Sequence, residues 1–474
     1  MELETGPGGR WRAAQRKRLC SRVSARGQAT LLLGCAVVTV GLAVTLLVHF
    51  RSTPEAEPPQ VSAAPPPQVA DLPPAILERL PASREALEFA AVGALGAESG
   101  PVAEPGVSGR LFEYVPWEAA GVPGPLRVEY TLDAELTRQV FRVLEQGRVS
   151  LGHVILLDPH TGRVLAYAST DTESFPGTRA YPAASLVKVI TAAAALEASP
   201  ETASIPCRFS GSPYKLTRRR LDPPRSGNEV SLRKALATSN NQCFAQLAVH
   251  ALGSNALVRA IERFGWLASP APAHDAGSVD PGEDRLDLGR LGCGLAGCNI
   301  TPLHAAQLAS ALVDGELVTP RWVDRVLDAD GRLLPLPARP APRRVMSPEL
   351  AQQLREMLVD TTTGGTATSA FRDRRRRPLL GEIRVAGKTG SLSGGEPEGR
   401  FEWFVGVAPA DEPRIAVAVL VVQGELYWRT ASQIAADVLQ RAFCPDKHCS
   451  VESADRWLRP HSTTVTAQKI PSER

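Results

Sequence analysis

Residues 29–50 form a run of 22 residues, rich in Leu and Val, that contains no charged side chain. As a helix rising 1.5 Å per residue, this run would reach roughly 33 Å, enough for the ~30 Å hydrocarbon core of a bilayer. Residues 1–28 hold seven basic side chains and two acidic ones, whereas residues 51–75 hold one base and three acids. The positive-inside rule therefore predicts a single transmembrane helix with a cytoplasmic N-terminus and the rest of the chain outside.

A cleaved signal peptide or a buried core helix would also fit an apolar run near the N-terminus. The apolar part of a signal peptide usually spans ~7–15 residues and is followed directly by a small-residue cleavage site. Here the run is longer, and the nearest such site, Val61-Ser62-Ala63, lies well beyond its end. We therefore prefer an uncleaved anchor.

This topology predicts the redox environment of the eight cysteines. Six of them would face an oxidising compartment, where disulfides persist. Cys293/Cys298 and Cys444/Cys449 are close in sequence, and we predict these two disulfides, although spacing cannot fix connectivity. A zinc site at the second pair would have too few ligands.

Composition narrows the possible classes of function. The chain has 53 Lys+Arg against 50 Asp+Glu, a net charge of +3, which gives no case for nucleic-acid binding. Hydrophobic residues make up 43% and charged residues 22%, which excludes a wholly disordered chain. Only seven of the basic residues are lysines, so the position of each lysine is informative.

The composition and the periodicity of the sequence change twice after residue 50. Residues 51–125 contain 14 of the 40 prolines, a composition typical of an extended stalk. Between residues 126 and 445, strand and helix periodicities alternate, which predicts an α+β domain, and residues 446–474 form a polar tail. The predicted strands are 153–158, 163–168, 383–386, 401–407 and 415–422, and the predicted helices are 185–197, 232–251 and 431–443.

The pattern Ser-x-x-Lys occurs three times. Ser212 is followed by proline in a turn-like stretch, and Ser231 is well placed as a helix N-cap. Only Ser185 opens a strongly apolar helix, on which Lys188 at i+3 shares its face and can reach the hydroxyl. An isolated Ser-x-x-Lys would also fit a helix cap followed by a surface lysine.

The pairing of Ser185 with Lys188 suits nucleophile activation. A serine hydroxyl is a poor nucleophile until a base accepts its proton. Lysine can be that base if burial and positive neighbours lower its pKa, whereas the guanidinium of arginine stays protonated.

Two further motifs support this interpretation. Residues 239–241 (Ser-Asn-Asn) fall inside the second predicted helix, where polar side chains are costly unless they face a functional cleft. Residues 388–391 (Lys-Thr-Gly-Ser) follow the predicted strand 383–386, and Gly390 would let a ligand approach closely. Each motif alone would fit a polar helix patch or a loop lysine. In this order, the three motifs form a known serine-acyltransferase set.

With these motifs, the chain resembles the transpeptidase domain of penicillin-binding proteins over residues 126–443. Similar segments also lie at residues 158–166, 301–306, 364–367 and 403–409. The resemblance implies an α+β fold of the penicillin-binding protein/β-lactamase type, in which an antiparallel five-stranded sheet is packed with helices beside an all-α subdomain. The chain departs from the family in lacking a glycine just before Ser185 and a long folded module ahead of the catalytic domain.

The resemblance implies five catalytic residues. Ser185 would be the acylated nucleophile and Lys188 its general base. Ser239 would pass a proton to the leaving amine, and Asn241 would hold the substrate amide. Lys388 would act with them by binding the C-terminal carboxylate of a stem peptide.

The substrate-binding residues implied by the resemblance are Thr389, Gly390 and Ser391. Thr389 would share the terminal carboxylate with Lys388. Backbone N–H groups of Ser185 and Ser391 would form an oxyanion hole. Neither a cofactor nor a metal is implied.

The implied function is a membrane-anchored D,D-transpeptidase that cross-links peptidoglycan stem peptides ending in D-Ala-D-Ala and binds β-lactams. Its implied location is the bacterial inner (cytoplasmic) membrane, with the catalytic domain periplasmic or extracellular and a peptidoglycan glycosyltransferase as partner. Three rival functions are a D,D-carboxypeptidase, a β-lactamase, and a non-catalytic β-lactam sensor or cell-wall scaffold.

Two arginine clusters, residues 372–377 and 218–220, remain outside these motifs. We interpret them first as solvated loops. The second interpretation is an anion-binding patch for lipid head groups or cell-wall carboxylates.

Overall fold

The computed structural model describes residues 72, 74–86, 110–117, 122–424, 429–446 and 448–458. They belong to the unit Pro67–Arg474. The predicted anchor, residues 29–50, lies outside the described residues. Within the described ranges, the structure contains no helix with the length and apolar character that a membrane span requires.

The strands and α-helices are numbered separately in chain order. The strands are β1 (Arg110–Val115), β2 (Leu126–Asp133), β3 (Leu151–Leu157), β4 (Val164–Ser169), β5 (Tyr181–Pro182), β6 (Cys207–Phe209), β7 (Asn228–Val230), β8 (Ser278–Val279), β9 (Cys298–Ile300), β10 (Glu316–Leu317), β11 (Val323–Leu327), β12 (Leu333–Leu334), β13 (Arg343–Arg344), β14 (Ala386–Ser393), β15 (Arg400–Ala408) and β16 (Ile415–Gln423). The α-helices are α1 (Pro74–Glu78), α2 (Ala134–Gln146), α3 (Val187–Ala198), α4 (Leu232–Ala237), α5 (Asn241–Gln246), α6 (Gly253–Arg263), α7 (Arg285–Cys293), α8 (Pro302–Asp314), α9 (Pro348–Thr363), α10 (Ala431–Phe443) and α11 (Glu452–Leu458).

A five-stranded antiparallel sheet with the order β14-β15-β16-β3-β4 forms the centre of the fold. Strand β16 is buried along eight of its nine residues, because helices α8 and α10 both pack against it. Val, Ile and Leu dominate β16, as expected of a strand covered on both faces. The predicted α+β class and five-stranded sheet are therefore confirmed.

One predicted strand lies in the wrong place. Residues 383–386 were expected to form a strand followed by the Lys-Thr-Gly-Ser motif. Instead, β14 begins at Ala386 and runs through the motif to Ser393, paired with β15 along its whole length. The apolar pattern misses this strand because its polar residues lie at the edge of the sheet, next to a cavity.

The helices between β5 and β10 correspond to the predicted all-α subdomain, but this region is not purely helical. Strands β6 and β7 form a small hairpin, and β5, β9 and β8 form a short three-stranded sheet. Each of these strands has only two or three residues, too few for an alternating pattern to be recognised in the sequence.

The predicted helix 232–251 is broken, which corrects the placement of the Ser-Asn-Asn motif inside it. Helix α4 ends at Ala237, and Ser239 adopts φ 57°, in the left-handed region. Asn240 then caps α5 by accepting a hydrogen bond from the backbone N–H of Cys243 at 3.2 Å. The apolar periodicity continues across the break, so the sequence pattern alone suggested one helix.

Part of the predicted stalk and part of the predicted tail contact the domain. Strand β1 lies within residues 51–125 and pairs antiparallel with β2. In the tail, the indole of Trp457 is buried and donates to the backbone oxygen of Ala442 at 3.2 Å. The folded structure therefore extends beyond residues 126–445 on both sides.

One of the two predicted disulfides is wrong. Cys444 and Cys449 are bonded as expected, but Cys293 and Cys298 are free and buried. Cys207 is bonded instead to Cys243, 36 residues away, with their Cα atoms 5.7 Å apart. Tertiary contact between β6 and α5 creates this pair, and proximity in the sequence does not determine whether two Cβ vectors converge.

The two disulfides should differ in their contribution to stability. Closing a loop of 36 residues restricts the unfolded chain more than closing one of five, by the chain-entropy estimate about 4 against about 2 kcal/mol. We expect the double variant Cys207→Ala/Cys243→Ala to lose more free energy of unfolding in urea than Cys444→Ala/Cys449→Ala. Equal losses, or a larger loss in the second variant, would contradict this expectation.

Candidate active site

Ser185 lies in a tight turn that leads into α3. Residues Ala184–Leu186 form a single 3₁₀ turn, and Ala184 has φ 48°. A non-glycine residue in the left-handed region costs about 1–3 kcal/mol and is typical of functional sites. Gly294 packs against this turn so closely that a Cβ atom there would lie 1.9 Å from the backbone oxygen of Ala184. The close packing of Gly294 therefore helps to fix the turn that carries Ser185.

Lys188, on the first turn of α3, is fully buried. Its Nζ atom lies 2.8 Å from Ser185 Oγ and 2.6 Å from Asn241 Oδ1. The same nitrogen lies 3.0 Å from both Oγ and the backbone oxygen of Ser239. Lys188 Nζ thus joins the Ser185 side chain to two residues that follow more than 50 positions later in the chain.

Burial lowers the pKa of Lys188 to about 8, with a smaller opposing effect from the nearby Cys293 thiol. The ring of Phe244, 5.8 Å from Nζ, is part of this apolar environment. An amine with such a pKa is partly neutral near physiological pH, so it can accept a proton.

Lys388 approaches the side chain of Ser239 from strand β14. Its Nζ atom lies 3.0 Å from Ser239 Oγ and 2.8 Å from the backbone oxygen of Thr389. Burial, and secondly the positive charge of Lys188, hold the pKa of Lys388 well below its usual range. Ser239 Oγ therefore bridges two buried amines, a geometry suited to carrying a proton between them.

Asn241 is held in place by the backbone of two residues in the loop between β6 and β7. Its Nδ2 atom donates to the backbone oxygen of Tyr214 at 2.8 Å, and its backbone N–H donates to the backbone oxygen of Pro213 at 2.9 Å. These hydrogen bonds orient the side-chain amide so that its Oδ1 atom faces Lys188 Nζ.

The Lys-Thr-Gly-Ser motif forms one wall of a cavity. Thr389 Oγ1 lies 2.6 Å from Thr366 Oγ1, and Ser391 Oγ accepts from Arg400 Nε at 2.8 Å. At Gly390, a Cβ atom would lie 3.3 Å from Ala184 Cβ, so the glycine keeps this wall close to the nucleophile turn.

The cavity has a volume of about 540 Å³. It is lined by the predicted residues Ser185, Ser239, Asn241, Thr389, Gly390 and Ser391. Lys188 and Lys388 are buried beneath it, and each contacts residues that line it. All eight predicted site residues therefore lie in one site.

Several residues that line the site were not predicted from the sequence. Tyr214, Thr366, Arg400 and Trp403 also line the cavity. Trp403 Nε1 donates to the backbone oxygen of Pro182 at 2.9 Å, which ties β15 to the segment before the nucleophile. Thr366 and Trp403 lie in segments that resembled the family, whereas nothing in the sequence pointed to Tyr214 or Arg400.

A sequence model of the penicillin binding protein transpeptidase domain matches residues 152–443, more than half of the chain. The chain belongs to this family. The resemblance inferred from the three motifs is thereby confirmed for the penicillin-binding protein transpeptidase domain.

Two mycobacterial relatives are named peptidoglycan D,D-transpeptidases. The peptidoglycan D,D-transpeptidase PbpA of Mycobacterium tuberculosis is 27% identical over 340 residues, which cover 63% of this chain and 67% of that protein. PbpA of Mycolicibacterium smegmatis is 28% identical over 315 residues, covering 58% and 62%, respectively. The chain thus spans about two thirds of the length of these transpeptidases.

Solved structures share the fold of this penicillin-binding protein transpeptidase. The crystal structure of PBPA from M. tuberculosis superposes with a TM-score of 0.55 at 26% identity, covering 66% of this chain and 81% of that chain. A D,D-transpeptidase domain from Eggerthella lenta has the same TM-score at 24% identity, with coverages of 68% and 83%.

Proposed function

We propose that this penicillin-binding protein is a serine-type D,D-transpeptidase that cross-links peptidoglycan stem peptides through a Ser185 acyl-enzyme. The observation that carries the proposal is the fully buried Lys188 amine, 2.8 Å from Ser185 Oγ. The names of the mycobacterial relatives, and a PBPA structure described as a ceftriaxone acyl-enzyme complex, support the same reaction class.

In the acylation step, Lys188 accepts the proton of Ser185 as Oγ attacks the carbonyl carbon of the penultimate D-Ala residue. The carbonyl oxygen becomes an oxyanion, which the backbone N–H groups of Ser185 and Ser391 stabilise. One such donor is worth ~10²–10³ in turnover. The C–N bond then breaks, and Ser239 passes a proton to the departing D-Ala amine.

In the second step, the amine of an acceptor stem peptide attacks the acyl carbon. The new amide bond forms, the ester bond to Ser185 breaks, and the serine regains its proton. Asn241 holds the donor amide, while Lys388, Thr389 and Gly390 bind the terminal carboxylate before it leaves. A bound carboxylate raises the pKa of Lys388 again, because an opposite charge favours the ammonium form.

The proposed organisation places this chemistry outside the cell membrane. Residues 1–28 are cytoplasmic, 29–50 span the bacterial inner membrane, and 51–125 form a stalk that includes β1. Residues 126–445 form the transpeptidase domain, and 446–474 form the tail. A separate peptidoglycan glycosyltransferase supplies the glycan strands, because cross-linking joins strands that a transpeptidase does not itself polymerise.

Product analysis of D-Ala-D-Ala pentapeptides separates the proposed activity from its rivals. Both activities release free D-Ala, but a transpeptidase yields peptide dimers, whereas a carboxypeptidase yields monomeric tetrapeptide. Labelled penicillin, followed for acylation and release, tests for a β-lactamase and for a sensor. Release within seconds would favour a β-lactamase, and stable labelling without peptide turnover would favour a sensor.

The pH dependence of penicillin acylation should follow the state of Lys188. Because its pKa is lowered to about 8 and the neutral amine is the base, the second-order acylation rate should rise with pH and level off above about 8. Well below this pKa, we expect a nearly tenfold gain per pH unit. Stopped-flow acylation measures the profile, and circular dichroism checks that the fold is unchanged. A rate that falls or stays flat over the same range would exclude Lys188 as the base.

A further inference from the structure

An arginine-rich loop, residues 372–377, continues from the wall of the active-site cavity. Ser369 and Ala370 line the cavity. Phe371 follows, buried against Phe404 with their ring centroids 5.2 Å apart. The loop therefore begins at a fixed point next to the cavity.

The loop has its own internal hydrogen bonds, centred on Asp373. The Asp373 carboxylate accepts from the backbone N–H groups of Arg375 and Arg377 and from Arg377 Nε, at 2.8–2.9 Å. Arg372 Nη1 donates to the backbone oxygen of Arg376 at 2.9 Å. This last residue is held at φ 62°, a conformation that is costly for arginine.

Three guanidinium groups of the loop take no part in these bonds. Arg374, Arg375 and Arg376 are exposed, and their side chains have neither an ion pair nor a hydrogen bond with any other residue that the structure describes. Like charges on consecutive residues repel one another. The hydrogen bonds of Arg372 and Asp373 fix the backbone of this segment, so the loop presents three cationic side chains to a ligand of opposite charge.

Other basic side chains lie at the site. Lys188 and Lys388 lie beneath the cavity, and Arg400 lines it, paired with the buried Glu402 at 3.2 Å. From Ala370 to Arg374 the chain spans at most about 15 Å. This limit is comparable with the length of an extended pentapeptide, and Ala370 lines the same cavity as Thr389, so a peptide bound in the cavity has the length to reach the loop.

We infer that residues Arg374–Arg376 bind carboxylates of the stem peptide other than its terminal one, and thereby select acidic stem peptides over amidated ones. This inference rests on the proposed function, since it takes the stem peptide as the ligand of the cavity. It changes the preferred interpretation of the loop from a solvated segment to a specificity determinant.

The test uses two pentapeptides that end in D-Ala-D-Ala and differ only in one internal group, a free carboxylate or its carboxamide. The full chain carries Ser185→Ala so that bound peptide is not consumed, and calorimetry gives the Kd of each peptide. The loop variant is Arg374→Gln/Arg375→Gln/Arg376→Gln. The control for the loss of three positive charges removes three exposed arginines from other segments, Arg259→Gln/Arg332→Gln/Arg339→Gln.

We expect the loop variant to weaken the carboxylate peptide about tenfold, the sum of a few exposed ion pairs, and to change the amidated peptide less than about twofold. The control variant should leave both affinities unchanged, and ~0.5 M salt should remove the preference of the unmodified loop. Equal effects on both peptides, no effect on either, or the same effect from the control would overturn the inference. So would binding to anionic vesicles that falls in the loop variant while its peptide affinities stay unchanged. Peptide turnover by the wild-type chain is scored separately, since its absence refutes the proposed function and not the binding preference.

Discussion

Ser185→Ala is expected to abolish both penicillin labelling and the formation of peptide dimers. The substitution removes the oxygen that carries the acyl group, so the loss should be at least about 10⁴-fold in kcat/KM, as for other nucleophile deletions. Fluorescent penicillin on a denaturing gel measures acylation, and chromatography of pentapeptide products measures transfer.

Ser212→Ala is the matched control for this variant. Ser212 opens another Ser-x-x-Lys pattern, but it does not line the active-site cavity. It should keep full labelling. Labelling of Ser185→Ala at the wild-type rate would show that another residue is the nucleophile.

Lys188→Arg is the second variant for which we expect a large loss. The guanidinium keeps the positive charge but cannot lose its proton, and its planar shape does not fit the four contacts made by Nζ. General-base catalysis contributes ~10²–10⁴-fold, so the acylation rate should fall by about 10³-fold. The measurement is the second-order rate constant for penicillin acylation.

The other two Ser-x-x-Lys lysines provide the control for charge and size. Lys215 and Lys234 are exposed, and Lys234 Nζ donates to the backbone oxygen of Gly364 at 3.0 Å. Lys215→Arg and Lys234→Arg should acylate at the wild-type rate. A Lys188→Arg variant that retains most of its acylation rate would mean that the base is another group, with Lys388 as the first candidate.

The parts of the fold that local chemistry determines were predictable from the sequence. Helix α10 has the predicted bounds 431–443, and Thr430 and Gln433 form a capping box at its start. The predicted hairpin corresponds to β3 and β4, joined by a Gly-containing turn. In both cases the signals lie within a few residues of the element they define.

The parts that depend on tertiary contacts were not predictable in the same way. The break at Ser239 depends on a left-handed residue that periodicity does not reveal, and the Cys207–Cys243 bond depends on packing across 36 residues. The spacing of the motif predicted Lys188 beside Ser185, because residues three positions apart share one face of a helix. That Nζ also contacts Ser239 and Asn241 follows only from the packing of α3 against α5.

Identification of the covalent intermediate tests the central claim most directly. The full chain is mixed with a D-Ala-D-Ala pentapeptide, quenched in acid, and analysed by intact-mass and proteolytic mass spectrometry. The proposed mechanism predicts an adduct equal to the peptide minus its terminal D-Ala, located on Ser185 and removed when an acceptor amine is added before the quench. Turnover without an adduct under conditions that trap an acyl-enzyme, or an adduct on any other residue, would contradict it.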